Sequence, residues 1–174
     1  MILSEFDRNL TSFLPDGVEG KRFLLAVSGG IDSMCMASLF LASSLKPEFG
    51  IATVNFNLRP GDCDLDQELV RNWAAERNIP FHTIGFNTKE YAHQHSISTQ
   101  MAARDLRYGW FYKLLEEHHY DYIAIAHNLD DSAETLLLNL LRGTGVSGLA
   151  GIRGQNGKII RPLITIQRES IAKY

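Results

Sequence analysis

Phe23-Leu24-Leu25-Ala26-Val27-Ser28-Gly29-Gly30-Ile31-Asp32-Ser33 joins an uninterrupted apolar run to a glycine pair and then to the start of a helix-like stretch. A short continuous apolar run marks a strand buried on both faces, as in a parallel sheet, whereas a half-exposed strand alternates. The turn after it is the context in which backbone N–H groups and a helix dipole hold an anion. Gly29 and Gly30 let the backbone approach phosphate oxygens, and Ser28 and Ser33 add hydroxyl donors. A carboxylate at Asp32 inside such a loop makes sense mainly where a cation neutralises it. Mg²⁺ carried by a nucleotide is the candidate, with Asp32 as its ligand. The bland alternative is a tight strand-to-helix turn capped by Asp32 or Ser33. The loop 28–33 is not followed by Gly-Lys-Ser/Thr and is not itself Gly-x-Gly-x-x-Gly, so kinase and dehydrogenase readings of it lose support.

Outward from this loop, three more apolar runs read as buried strands: Ile51 to Phe56, Phe81 to Phe86 and Tyr122 to Ala126. Helical stretches alternate with them over Ser33 to Leu45, Asp64 to Arg77, Ser98 to His119 and Ser132 to Leu141, with an opening helix near Leu3 to Leu14. Leu65, Leu69 and Trp73 are expected on one face of the second of these. Trp73, Trp110 and the methionines read as core rather than ligand contacts. Strand and helix in alternation predict an α/β fold, Rossmann-like, with three α/β/α layers and a mostly parallel sheet joined by right-handed crossovers. Ligands in such folds sit where strands end and helices begin.

A second constellation, Ala126-His127-Asn128-Leu129-Asp130-Asp131-Ser132-Ala133-Glu134-Thr135, ends the fourth strand and opens a helix. Asp131 and Glu134 are three apart and share a helical face, with His127 just before them. In a sheet ordered 3-2-1-4 this loop lies beside the first one, across the switch point. Capping accounts for one acid, but less readily for His127, Asp131 and Glu134 together. Arg104 and Arg107, in Ala103-Arg104-Asp105-Leu106-Arg107-Tyr108, are also three apart and could aim guanidinium groups at a nucleotide. Salt bridging at the surface is their alternative.

The remaining features bound the class. With 174 residues, 45% hydrophobic and 21% charged, the chain fits one globular domain. Arg161-Pro162-Leu163 followed by 164–174 reads as a strand end leading into a new helix, so the expectation is the N-terminal part of a longer protein. Early acids and no signal-like apolar stretch point to the cytoplasm. The longest apolar run, Met34 to Ala42, falls short of the roughly 20 residues a membrane span needs. Cys35 and Cys63 are read as free thiols. Residues 136–174 hold six basic side chains and one acidic, against 11 and 19 in residues 1–135, so the tail is where a polyanion could touch.

Ser-Gly-Gly-x-Asp-Ser after an apolar strand resembles the pyrophosphatase loop (PP-loop) of N-type ATP pyrophosphatases, with their adenine nucleotide alpha hydrolase-like fold. Asn57-Leu58-Arg59-Pro60-Gly61, the Arg104/Arg107 segment, His127 through Thr135, Arg142-Gly143-Thr144-Gly145 and Arg161-Pro162-Leu163 follow in order. Over Phe23 to Tyr174 the set resembles the tRNA(Ile)-lysidine synthetase family. That resemblance implies ATP-dependent adenylation of the wobble cytidine of an isoleucine tRNA, then attack by free L-lysine with release of AMP. It implies ATP and Mg²⁺ at Ser28, Gly29, Gly30, Ile31, Asp32 and Ser33, with Arg104, Arg142 and Gly143 assisting. Asp32, Arg107, His127, Asp131 and Glu134 would be catalytic, the last three facing cytidine and lysine. Its partners would be the tRNA, held weakly by this domain alone, and lysine; no membrane is implied, and a homodimer is allowed. Asn57 departs from the family, whose members often carry His there, and receives no role. The rival readings are a PP-loop tRNA thiolase, which should show paired cysteines, and a non-catalytic nucleotide-binding domain.

Overall fold

The structure is a computed structural model and describes residues 2–56, 62–143 and 151–174. In chain order its elements are α1 (Ile2–Phe13), β1 (Arg22–Ala26), α2 (Ile31–Ala42), β2 (Glu48–Asn55), α3 (Asp62–Ala75), β3 (Phe81–Gly85), α4 (Thr88–Gln94), α5 (Thr99–His118), β4 (Tyr122–Ile125), α6 (Leu129–Leu141), β5 (Gln155–Asn156), β6 (Ile159–Ile160) and α7 (Arg168–Lys173). They form a six-stranded sheet ordered β3-β2-β1-β4-β6-β5, in which only the β5–β6 pairing is antiparallel. The chain moves from β1 out to β2 and β3, then returns to lay β4 on the other side of β1. The switch point therefore falls between β1 and β4, where the two sequence constellations sit.

Alternation along β1 explains the three layers. Phe23, Leu25 and Val27 enter the core shared with α1, α2, α3 and α7, while Leu24 enters the core with Phe111, Leu114 and Leu115 of α5. Successive residues of a strand point to opposite faces, and both faces here are covered, so the run is apolar throughout. Phe40 of α2 packs its ring 5.1 Å from Phe6 and 5.5 Å from Phe23, joining α1, α2 and the sheet.

Two expectations need correction. On α3, Leu65 and Leu69 are 72% and 53% exposed, and the core face is formed by Val70 and Ala74 with Trp73 at its flank. Each step of four residues rotates about 40° around a helix, so the stripe that touches the core at Trp73 has turned to solvent by Leu69 and Leu65. Met36 is buried, but Met101 in the first turns of α5 is exposed. Helix α4 has no counterpart among the expected elements; its start is capped by the Asn87 side chain accepting from Glu90 N–H.

Long-range hydrogen bonds hold α1 and the 161–168 segment around the switch point. Buried Asn9 of α1 donates from Nδ2 to Pro162 O at 2.8 Å and to Thr165 Oγ1 at 2.9 Å. Leu129 N–H donates to Ile166 O, and Arg168 N–H to Asp130 Oδ2 at 2.7 Å. Segment 161–168 is thereby docked against the start of α6. Among the described residues, no helix is long and apolar enough to cross a membrane.

Candidate active site

The end of β1 is held firmly before the loop begins. Val27 N–H donates to Ala52 O, and the buried Thr53 hydroxyl donates back to Val27 O at 2.8 Å. Ser28-Gly29-Gly30 then turns into α2, with Gly29 at φ +90°, a conformation natural to glycine. Ser33 Oγ donates to Gly30 O at 2.9 Å and accepts from Ser28 N–H at 3.2 Å, and it lies 3.3 Å from Ser28 Oγ. These bonds preset the loop at the start of α2, and the Gly30 N–H donates to Ser28 Oγ at 3.4 Å.

The loop forms one wall of a cleft of about 430 Å³. Ser28, Gly30, Ile31, Asp32 and Ser33 line it from β1 and α2, Arg107 from α5, His127 from the end of β4 and Arg168 from α7. Its floor is apolar, built from Ala52, Val54, Phe56, Phe111, Ile125 and Ala126 among others. A polar anion-binding wall beside an apolar floor suits a ligand with phosphates at one end and a flat ring at the other.

Asp32 Oδ1 is buried and has no hydrogen-bond partner among the described residues. An unpaired, desolvated carboxylate oxygen costs free energy, so its place in the loop fits a cation brought in with an anionic ligand. Mg²⁺ fits this site by that test. Behind the loop, burial pushes the Cys35 thiol up to about 11, helped by the charge of Asp32.

His127 is half-buried, and its Nδ1 accepts a hydrogen bond from Arg161 Nε at 3.0 Å. Burial lowers its pKa first, and Arg161 lowers it further. Asp131 works against that shift, while Arg107 and Arg104 add to it. The Arg107 guanidinium lies 5.2 Å from the Phe56 ring centre, and its pKa is lowered chiefly by burial.

The sequence-predicted residues are thus partly assembled. Ser28, Gly30, Ile31, Asp32, Ser33, Arg107 and His127 share the cleft, and Gly29 shapes its loop. Asp131 is close enough to bias His127, but its carboxylate also accepts from Asn128 N–H at 3.0 Å while Asn128 Oδ1 accepts from Asp131 N–H. This is a capping box, with Asn128 and not an aspartate as the N-cap. Glu134 lies on the exposed side of α6, and Arg104 stands outside the cleft lining with its guanidinium 5.0 Å from the Tyr108 ring centre. Arg142 and Gly143 follow the last residue of α6, a 13-residue helix, and so sit about 20 Å along it from His127. Asn57 to Gly61, Thr144 and Gly145 lie outside the described residues. Sequence reasoning missed Arg161 and Arg168 as site residues, having placed them in a basic tail; the Arg161-Pro162-Leu163 segment was the available signal.

Known proteins resemble this chain in sequence and in fold. The PP-loop domain family matches residues 2–174. A tRNA(Ile)-lysidine synthase of Bacteroides thetaiotaomicron is 45% identical over 162 residues, which cover 93% of this chain and 37% of that protein. A protein of the same name from Chlorobaculum tepidum is 46% identical over 157 residues, covering 89% of this chain and 47% of the relative. The chain therefore spans less than half the length of either. Among solved structures, the U34-tRNA thiolase NcsA from Methanococcus maripaludis with its 4Fe–4S cluster superposes with a TM-score of 0.76 at 22% identity. That match covers 99% of this chain and 62% of the thiolase, and it establishes the shared fold.

Proposed function

The chain belongs to the PP-loop family of ATP-binding domains, and we propose that it is the catalytic domain of a tRNA(Ile)-lysidine synthetase. The observation that carries this reading is the single cleft in which the phosphate loop, with the unpartnered Asp32 Oδ1, meets His127 and Arg107. Identities of 45% and 46% to two lysidine synthases support the choice of substrate.

In this proposal Ser28, the Gly30 backbone and Ser33 hold the phosphates of ATP, and the apolar floor takes the adenine. Mg²⁺, when bound through Asp32, neutralises phosphate charge. The C2 oxygen of the wobble cytidine attacks the α-phosphorus, the bond to the β-phosphate breaks and pyrophosphate leaves. The ε-amine of free lysine then attacks C2, a C–N bond forms, and AMP departs with the oxygen. The ammonium must first lose a proton, and a carboxylate at Asp131 or Glu134 can hold the cation and accept that proton. Arg107, fixed over Phe56, offsets the negative charge that builds on phosphate. Arg104 at the rim and Arg142 with Gly143 at the far end of α6 are proposed to meet the polyanion rather than the α-phosphate. The full reaction takes place in the cytoplasm, with tRNA held only weakly by these 174 residues.

A thiolase would need cysteines able to carry sulfur. This stretch offers Cys35 and Cys63, and Cys35 is buried with its thiol pushed up to about 11, which suits packing rather than thiolate chemistry.

The deciding experiment follows AMP formation and radiolabelled lysine incorporation into isoleucine tRNA. It is run on the 174-residue chain and on a version extended to the length of its relatives. Lysine in the tRNA, lost in Asp32→Ala, supports the proposal. AMP formation without lysine incorporation in the extended version defeats the choice of nucleophile.

A further inference from the structure

Arg161 is only 8% exposed, and among the described residues no carboxylate forms an ion pair with it. A buried guanidinium without a counter-ion is costly unless its donors are used. Here they are used on neutral acceptors. Nε donates to His127 Nδ1 at 3.0 Å and Nη1 donates to Arg153 O at 2.8 Å, while the Arg161 backbone N–H donates to Gly154 O at 2.8 Å.

Arginine has no acceptor, so the contact with His127 can run in one direction only: Nδ1 carries the lone pair. A neutral imidazole has a single N–H, which must then sit on Nε2. The ring carrying it lines the cleft opposite the phosphate loop. The charged groups that act on this ring are Arg161, Asp131, Arg107 and Arg104, three cations against one carboxylate, which disfavours a second proton.

We propose that Arg161 is a positioning residue that holds His127 as a neutral hydrogen-bond donor, with Nε2–H presented to an oxygen of the bound substrate, and that His127 is not the proton acceptor of the reaction. What the donor meets rests on the lysidine synthetase reading; the tautomer does not. Under that reading the oxygen is the cytidine C2 oxygen or the phosphate it joins, and proton removal from the amine falls to Asp131 or Glu134.

The tautomer is tested by ¹⁵N-resolved NMR of the histidine side chains in the substrate-free 174-residue protein. The expected result is an unprotonated Nδ1 and a protonated Nε2 for His127 near neutral pH. In Arg161→Gln and Arg161→Met the His127 pKa should rise by about one unit or more as a neighbouring cation is lost. If the Met variant does not fold, the Gln variant and the wild-type spectrum carry the test. An Nδ1–H tautomer in the wild type, or an unmoved His127 pKa in a folded Arg161 variant, overturns the proposal. In the AMP-forming assay His127→Gln, which keeps an N–H near the Nε2 position, should retain at least about tenfold more activity than His127→Ala. Equal losses overturn the donor role. If the unsubstituted protein forms no AMP, the proposed function fails while the NMR arm still decides the tautomer.

Discussion

Asp66 of α3 lies against Gly29 of the phosphate loop so closely that a Cβ placed on Gly29 would be 2.8 Å from the Asp66 Cβ and 3.2 Å from its Cα. Two constraints therefore coincide at Gly29, its φ of +90° and the backbone of a neighbouring helix. Gly29→Ala is expected to cost about 1–3 kcal/mol of stability and to displace the loop or α3. Paired thermal melts and nucleotide titrations check this. A variant that melts like the parent and binds ATP equally well would show that the loop does not need glycine here.

Asp32→Ala should separate stability from function. The substitution removes a buried oxygen that lacks a partner, worth about 1–3 kcal/mol, and gives up a favourable first-turn charge on α2 worth about 0.3–1 kcal/mol. The ligand-free variant is therefore expected to be at least as stable as the parent. Stabilisation by Mg²⁺ and ATP, about 2.7 kcal/mol for the parent at a hundred times Kd, should disappear. Calorimetry with and without nucleotide reads both quantities.

At the start of α6, Asn128→Ala removes the capping box, costing about 0.5–2 kcal/mol, but also removes a buried Nδ2 that has no partner among the described residues, so the net loss should stay below about 2 kcal/mol. Because the same box orients Asp131, activity should fall by more than the lost folded fraction. Chemical denaturation alongside turnover measured well below the melting temperature distinguishes the two losses.

Cys35 supplies a pH test. Its thiol is raised from 9.0 to about 11, by burial first and by Asp32 second. A raised acid stabilises the fold fully below its unfolded pKa, and that contribution is lost as pH rises through the folded value. The contribution is thus intact below pH 9.0 and gone above about 11. At pH 8 its thiolate fraction is about a hundredfold below that of the unfolded chain. Alkylation under native conditions, followed by mass spectrometry of the Cys35 peptide, should be slower by at least that factor.

The sheet and its loops were legible because they rest on local pattern. Phe23 to Val27 is apolar throughout because both faces of β1 are covered, and Gly29-Gly30 marks the turn whatever surrounds it. The site was legible only as far as it is local. His127 and Asp131 could be named, but the bond from Arg161 to His127 spans 34 positions and has no periodic signature. Asp131 illustrates the opposite difficulty: a carboxylate at the third helical position fits capping and catalysis equally well, and here it completes the Asn128 capping box while its charge acts on His127. Leu65 and Leu69 misled because apolar spacing defines a stripe without saying how far it stays against the core.

Asn9 of the first helix is tied to Pro162 and Thr165, and the cleft takes side chains from Ala26 through to Arg168. A ribosome delivers these parts in order. A nascent chain that has released β1 and its loop still lacks Arg161 and Arg168, while α1 waits for the segment it will bind. The lining described for the cleft is therefore assembled only after residue 168 has left the exit tunnel, when α1 can also take up its bonds to Pro162 and Thr165.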